Sequence, residues 1–265
     1  MRVHVVSDVH GNADALKRAG DGADALIVLG DLLDFVDYRE HDKGIMGALF
    51  GAEKVGQFAR LRREGTREET VAFSRTLWAD LADPAAAVDE AVRAQYETLF
   101  AAMTAPTYAT PGNVDTPALW PEFAGAGIQV LDGESVELGG LRLGFVGGAL
   151  LPDGVVPRRN GFWRPHLRTR EEFDAAVAAM REAGRIDVLC THVPPAVPEL
   201  VYDVVARRAE LGSAALLDVI REDRPRWSVF GHVHQPLAPR ARAGHTECRN
   251  VGHFKETGQP YVLRW

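Results

Sequence analysis

Five short clusters of metal-ligating residues occur in order along the chain: Asp8-Val9-His10, Gly30-Asp31-Leu32-Leu33-Asp34, Gly112-Asn113-Val114-Asp115, Thr191-His192 and Gly231-His232-Val233-His234. Together Asp8, His10, Asp31, Asn113, His192, His232 and His234 supply enough donors to hold two divalent cations side by side. Carboxylate and amide oxygens are mixed with imidazoles, and no thiolate takes part. That donor set suits Mn²⁺, Fe²⁺/Fe³⁺ or Zn²⁺ better than Ca²⁺. One carboxylate, most simply Asp31, could bridge two ions. Ions about 3.5–4 Å apart can hold a bridging hydroxide and clamp a phosphoryl group through an in-line displacement. The chemistry to expect is hydrolysis, with Asp8, Asp31, Asn113, His192 and His232 at the reacting centre.

These residues need a frame that brings distant segments together. Val3 to Val6, Leu26 to Leu29, Thr107 to Ala109, Ile186 to Cys190 and Trp227 to Phe230 read as strands, and each ends just before a cluster. Continuous apolar strands alternating with helices indicate an α/β fold whose sheet is buried on both faces. In such sheets ligands sit beyond the strand C-termini, so the clusters should converge on one rim. Asp8 and His10 are two apart, as are His232 and His234, which in extended backbone places each pair on one side. Gly30, Gly112 and Gly231 permit tight turns and close backbone approach.

Between the second and third of these strands the rhythm breaks. Residues 35–105 read as a helical insertion, a cap or a dimer element, within a single domain spanning 1–265. Thr66-Arg67-Glu68-Glu69 and Thr169-Arg170-Glu171-Glu172 are capping-box patterns. Asp83-Pro84 opens another helix, with Asp as N-cap and Pro at N1. Val88, Val92, Tyr96, Leu99 and Met103 then recur at helical spacing. Residues 128–146 read as two or three antiparallel strands with hairpin turns at Asp132-Gly133 and Gly139-Gly140. Strands at 247–251 and 261–265 close the chain.

The chain has 265 residues and a formal net charge of −7. The acidic balance argues against a long nucleic acid as partner, which calls for a basic stripe. It is compatible with a small phosphorylated substrate, because a metal pair supplies local positive charge. Cys190 and Cys248 are the only cysteines, too few for a disulfide framework. Cys190 reads as a buried small hydrophobe, and a reducing cytoplasm is the expected compartment. The first strand begins at once, without the pattern of a signal peptide, and no run has the ~18 apolar residues a membrane span needs.

The ordered set Asp8-x-His10, Gly30-Asp31-x-x-Asp34, Gly112-Asn113-x-Asp115, His192 and Gly231-His232-x-His234 resembles the calcineurin-like metallophosphoesterase superfamily. The resemblance runs from about Val3 to His234, with a gap over the helical block. It implies a four-layer α/β/β/α sandwich of two mixed sheets. It also implies that Asp8, His10, Asp31 and His234 bind one metal, that Asp31, Asn113, His192 and His232 bind the other, and that Asp34 and Asp115 orient ligands. Asn250-Val251-Gly252 resembles the Asn-Pro-Gly turn of smaller bacterial members, with Val in place of Pro. Many members carry a His where this chain has Val114, and there that His protonates the leaving group. Small bacterial phosphodiesterases of the family also lack it, so the resemblance favours a phosphodiesterase over a monoesterase.

Two other readings stay open at this point. One is a non-catalytic docking module of the same fold, and the other is a nuclease. His4, between valines, reads as a strand residue rather than a ligand. His41, His166, His245 and His253 are unassigned, and His41 or His253 could supply the missing acid. Arg158, Arg159 and Arg164 lie in a Gly- and Pro-rich loop and could grip a phosphate or be solvated charge. Ile45, Met46, Leu49 and Phe50 are apolar residues that either pack inside the fold or form a face for a second copy of the chain.

Overall fold

Strand β1 (Arg2–Val6) carries β-branched side chains on both of its faces, and so has two layers to bury. Alternation divides them. Val3 and Val5 enter one apolar cluster and Val6 another. In β2 (Ala25–Val28) the same division sends Ala25 and Ile27 one way and Leu26 and Val28 the other. The computed structural model, which describes every residue except 156–160, shows what occupies the two sides.

The remaining strands of the two main sheets are β3 (Thr107–Ala109), β4 (Ile128–Val130), β5 (Glu134–Leu138), β6 (Leu141–Val146), β7 (Val188–Thr191), β8 (Trp227–Phe230), β9 (Arg240–Ala243), β10 (Thr246–Asn250) and β11 (Tyr261–Arg264). The first sheet has the order β11-β1-β2-β3-β4, parallel from β1 to β4 with β11 antiparallel at the edge. The second has the order β9-β10-β8-β7-β6-β5, parallel from β10 to β6 with an antiparallel strand at either edge. Ile27, Phe145, Val188, Cys190 and Val229 fill the space between the sheets.

Helices cover the outer faces. Leu16 of α1 (Ala13–Ala19) packs on Leu26 and Val28 of the first sheet. Two helices, α2 (Gly44–Glu64) and α3 (Arg67–Ala79), precede α4 (Pro84–Ala102), whose Val92, Tyr96 and Leu99 join the same cluster. On the second sheet, Phe173 and Val177 of α5 (Arg170–Met180) and Leu216 and Val219 of α6 (Ala214–Glu222) pack on Leu189 and Phe230. The result is the expected four-layer α/β/β/α sandwich of two mixed sheets. Both capping boxes form, at Thr66 and Thr169, and Asp83 caps α4 through the Ala86 N–H.

Residues 35–105 therefore contain three helices. The last covers the sheet. The first two hold a small core of their own, formed by Met46, Val55, Phe58 and Leu77. Ile45 and Met46 are buried, and Leu49 and Phe50 are half-buried against the clusters beneath them. Gly51, at φ 77°, interrupts α2.

One expectation is corrected. Asp132-Gly133 is not a hairpin turn. β4 pairs with β3 in the first sheet and β5 with β6 in the second, so this segment crosses between sheets. Gly139-Gly140, both at positive φ, does form the β5–β6 hairpin, as its primed-turn chemistry requires. Local turn signals cannot distinguish the two cases, because both need a glycine with φ above zero. At Asp132 the deciding interactions are long-range. Its carboxylate accepts from the Gly147 N–H and from Arg168, with His166 also at 3.1 Å. The antiparallel strand β9 is absent from the sequence reading. Cys190 and Cys248 are buried and unpaired. Among the described residues no helix is long and apolar enough to cross a membrane.

Candidate metal centre

The loops after β1, β2 and β3 of one sheet meet the loops after β7 and β8 of the other. Parallel pairing points the strand ends within each sheet one way, and the packing of the two sheets brings the two rims together. Backbone hydrogen bonds join the loops: the Asp8 N–H donates to the Gly30 carbonyl, and the Gly231 N–H to the His192 carbonyl. Asp8, His10, Asp31 and His232 all have positive φ (58°, 39°, 52° and 67°). Such backbone is costly for residues with a Cβ and persists only where the surroundings enforce it. Gly112 packs so tightly on Asp31 that a Cβ there would overlap the Asp31 carboxylate.

All seven proposed ligands converge. On one side of Asp31 lie His10, with Nε2 3.8 Å from the Asp31 Oδ2, and His234, with Nε2 3.3 Å from the His10 Nε2 and 3.2 Å from the Asp8 Oδ1. On the other side His192 Nε2 is 3.5 Å from the same Asp31 oxygen and 2.9 Å from Asn113 Oδ1, which His232 Nδ1 approaches to 2.7 Å. Asp31 thus sits between two groups of donors. Asp8, His10, Asp31 and His234 are placed closely enough to share one ion.

The protonation pattern tests whether cations fit. A neutral imidazole has one N–H. His10 Nδ1 is 2.9 Å from the Leu33 carbonyl and His192 Nδ1 is 2.8 Å from the Leu29 carbonyl, and each carbonyl requires that proton. Both Nε2 atoms therefore present lone pairs, yet they face a carboxylate and, respectively, another imidazole and an amide oxygen. Converging lone pairs repel unless a positive charge lies among them, so the donor set fits metal ions. Two of the imidazoles are also kept neutral, whereas for His234 burial is outweighed by the hydrogen bond and charge of Asp8, which raise its pKa. Burial, then His234, lowers the His10 pKa, and burial, then His192, pushes His232 down to about 3. Asp8 is held ionised: burial opposes this, but the hydrogen bond and charge of His234 outweigh it. Burial raises Asp31.

A ring of polar residues holds these donors in place. Asp115 is fully buried and accepts from the backbone N–H groups of Leu32, Leu33 and Gly112, at 3.1, 3.3 and 2.8 Å, so it shapes the turn that carries Asp31. Burial, with the Asp31 charge, pushes its pKa up to about 6. The Val114 N–H donates to Asp31 at 2.9 Å, so Val114 contributes backbone where its side chain has no acid. Asn250 donates to the Val233 carbonyl and accepts from the Gly252 N–H, bracing the His232-Val233-His234 turn. Asp34 pairs with Lys255 at 2.8 Å, and Lys255 also reaches Asp37 at 2.7 Å.

The unassigned residues separate cleanly. His4 is buried in β1 with Nδ1 against the Ala19 carbonyl. His41 lies at the Tyr38 carbonyl, His166 at Asp132, and His245 is exposed in the β9–β10 turn. His253 joins the centre, stacked on His234 at 3.9 Å between ring centroids, and burial pushes it down to about 3. Arg158 and Arg159 lie outside the described residues, and Arg164 is exposed. Sequence reasoning missed Lys255, Asp37, Tyr96 and Trp163. Tyr96 reaches the Thr116 N–H and Asp115, and the Trp163 indole donates to the Val114 carbonyl. Tyr96 shows only as a core position of its helix and Asp37 as one more acid after Asp34, while Lys255 and Trp163 reach the centre from distant parts of the chain with no spacing signal.

Two cavities flank His10. One, of 820 Å³, is lined by acidic groups including Asp14, Glu40 and Asp42. The other, of 870 Å³, also touches His234 and His253 and is walled by aromatic residues.

Comparison with known proteins agrees with this geometry. One solved structure superposes with a TM-score of 0.62 at 16% identity, covering 99% of this chain and 98% of that one. The structure of TT1561 from Thermus thermophilus superposes with a TM-score of 0.57 at 14% identity, covering 99% and 97%. At these identities they establish the fold. No curated protein sequence matches significantly. The profile of the calcineurin-like phosphoesterases matches residues 1–236. With its two-sheet sandwich and its His/Asp cluster at the shared rim, the chain belongs to the calcineurin-like phosphoesterase family, whose chemistry is metal-dependent phosphoester hydrolysis.

Proposed function

We propose that this chain is a binuclear phosphoesterase that prefers phosphodiesters. The observation that carries the binuclear reading is the position of Asp31 between two sets of lone pairs. Asp8, His10, Asp31 and His234 would hold one ion, and Asp31, Asn113, His192 and His232 the other. When bound, divalent ions supply positive charge to the phosphoryl oxygens and acidify water. The chain's own part is to fix the His10 and His192 rings, through the Leu33 and Leu29 carbonyls, with Nε2 turned inward, and to hold the Asp31 turn through Asp115.

The preference for diesters rests on two features. Val114 cannot give a proton to a leaving group, a role typically worth 10²–10⁴-fold, so substrates with easier leaving groups are favoured. Asp34, Asp37 and Glu256 lie in the walls of both cavities beside His10. Arg39 and Lys255, in the same walls, pair with these carboxylates, so the second feature is the room that the two cavities give for two ester arms.

The test is an assay of protein loaded with Mn²⁺, Zn²⁺ or Fe²⁺ on a diester and a monoester with the same leaving group. The diester should be cleaved faster, and absence of turnover on both would sink the proposal. Asp31→Asn should lose metal, measured by elemental analysis after dialysis, along with activity. Retention of two equivalents would remove Asp31 from its bridging role.

A further inference from the structure

The 870 Å³ cavity beside His10 and His234 has a wall unlike the rest of the site. Phe35, Tyr38, Trp78 and Trp163 line it together with Met46 and Phe58. These rings come from three separate segments. Phe35 and Tyr38 follow the Asp31 turn, Trp78 lies on α3, and Trp163 lies in the loop before α5. All four line the one cavity, and Phe35, Trp78 and Trp163 are in ring contact. Phe35 stacks on Trp163 with centroids 4.3 Å apart, and Trp78 lies 6.5 Å from Phe35. Phe35, Trp78 and Trp163 are half-buried and Tyr38 is 48% exposed, with the Arg62 guanidinium 5.5 Å above the Tyr38 ring and Phe50 edge-on to Trp78. Val205, 74% exposed, and Ala206 also line the cavity. Their loop is held by the Asp203 carboxylate, which accepts from both of their N–H groups and from Gln235 beside His234.

The floor of this cavity is the metal centre, so its occupant must present its phosphoryl group there. The acidic cavity on the other side of His10 has no such wall. Flat π-faces favour offset or edge contact with another ring over contact with a short alkyl group. From this juxtaposition we infer that the enzyme selects phosphoesters with a flat, ring-bearing arm, held against the wall that contains Trp78 and Tyr38 with the phosphoryl group at His10 and His234. The inference rests on the phosphoesterase reading above and deepens it.

Binding of non-hydrolysable phosphonates tests it without depending on turnover. Methyl-, butyl- and phenylphosphonate are titrated by calorimetry into Mn²⁺-loaded protein and into protein treated with chelator. Metal-dependent binding of methylphosphonate is the control for the phosphoesterase reading, and its absence overturns that reading and this inference with it. With that control in place, phenylphosphonate should bind about two- to tenfold more tightly than methylphosphonate, the range expected for one aromatic contact, with butylphosphonate close to methyl. Trp78→Ala should abolish the phenyl preference and leave methylphosphonate binding and metal content unchanged. Tyr38→Ala, at a more exposed position, should reduce the preference and covers the case in which loss of Trp78 unfolds α3. Equal binding of phenyl and methyl, butyl binding as tight as phenyl, or a preference that survives in folded variants would each overturn the inference while leaving phosphoester hydrolysis intact.

Discussion

Replacing Lys255 by Met should destabilise the protein by about 3 kcal/mol at neutral pH, the lower end of the range for breaking a buried ion pair. The Lys255 ammonium is 22% exposed and bonds Asp34 at 2.8 Å and Asp37 at 2.7 Å, and their side chains are only 9% and 4% exposed. The two carboxylates respond differently to the shared cation. Burial raises Asp34, and Lys255 only partly offsets this. Burial would raise Asp37 too, but hydrogen bonds from Lys255 and from the Glu40 and Arg39 N–H groups outweigh it and hold Asp37 at about 2, below its ordinary 3.8. That fall is worth about 2.5 kcal/mol. The folded value lies below the unfolded one, so this stability is fully present above pH 3.8 and is lost as pH falls towards 2. Asp34 can take up a proton in the variant, which limits the loss. For a chain of this size each kcal/mol moves Tm by roughly 2–4 °C, so Tm should fall by roughly 6–12 °C. Thermal unfolding with chelator present keeps metal release out of the measurement. The gap should narrow below about pH 4, as the variant's carboxylates protonate. A Tm within 2 °C of wild type (roughly 1 kcal/mol or less), or a gap that does not change with pH, would refute the account of Lys255 as the partner of buried charge.

Three further outcomes are expected. Metal that binds only the folded protein should stabilise it by about 2.7 kcal/mol at a hundredfold excess over Kd, so chelation should lower Tm and Mn²⁺ should restore it. Gly112→Ala should abolish metal uptake, measured by elemental analysis, because the added Cβ would overlap the Asp31 carboxylate, and normal metal content would contradict the packing described. Thr169→Ala removes the acceptor for the Glu172 N–H and should cost about 1 kcal/mol in urea unfolding, with metal content unaffected.

The clusters were legible in the sequence because each follows an apolar strand, and parallel strands of one sheet end at one rim; that the rims of two sheets meet was decided by packing. Helix starts at Thr66, Asp83 and Thr169 were legible for a similar reason, since a cap is a local bargain between a side chain and N–H groups three residues on. The crossover at Asp132 was not. Whether β4 pairs with β3 or β5 depends on partners distant in the chain, and a glycine turn serves either. Strand β9 escaped because Arg240 and Arg242 alternate with alanines too small to mark an apolar face.

What the sequence determined by itself is the donor inventory: two carboxylates, an amide and four imidazoles, with a valine where an acid is common. Ligand type limits which ions and which chemistry are possible, and that is a property of composition and order. Tertiary structure decided the rest. It placed Asp31 between two donor groups, turned Nδ1 of His10 and His192 to carbonyls so that their Nε2 atoms are free, and brought Lys255 to Asp34 and Asp37. It also assembled Phe35, Tyr38, Trp78 and Trp163 into one wall. Each of these depends on which segments pack together in space, and no local spacing encodes that.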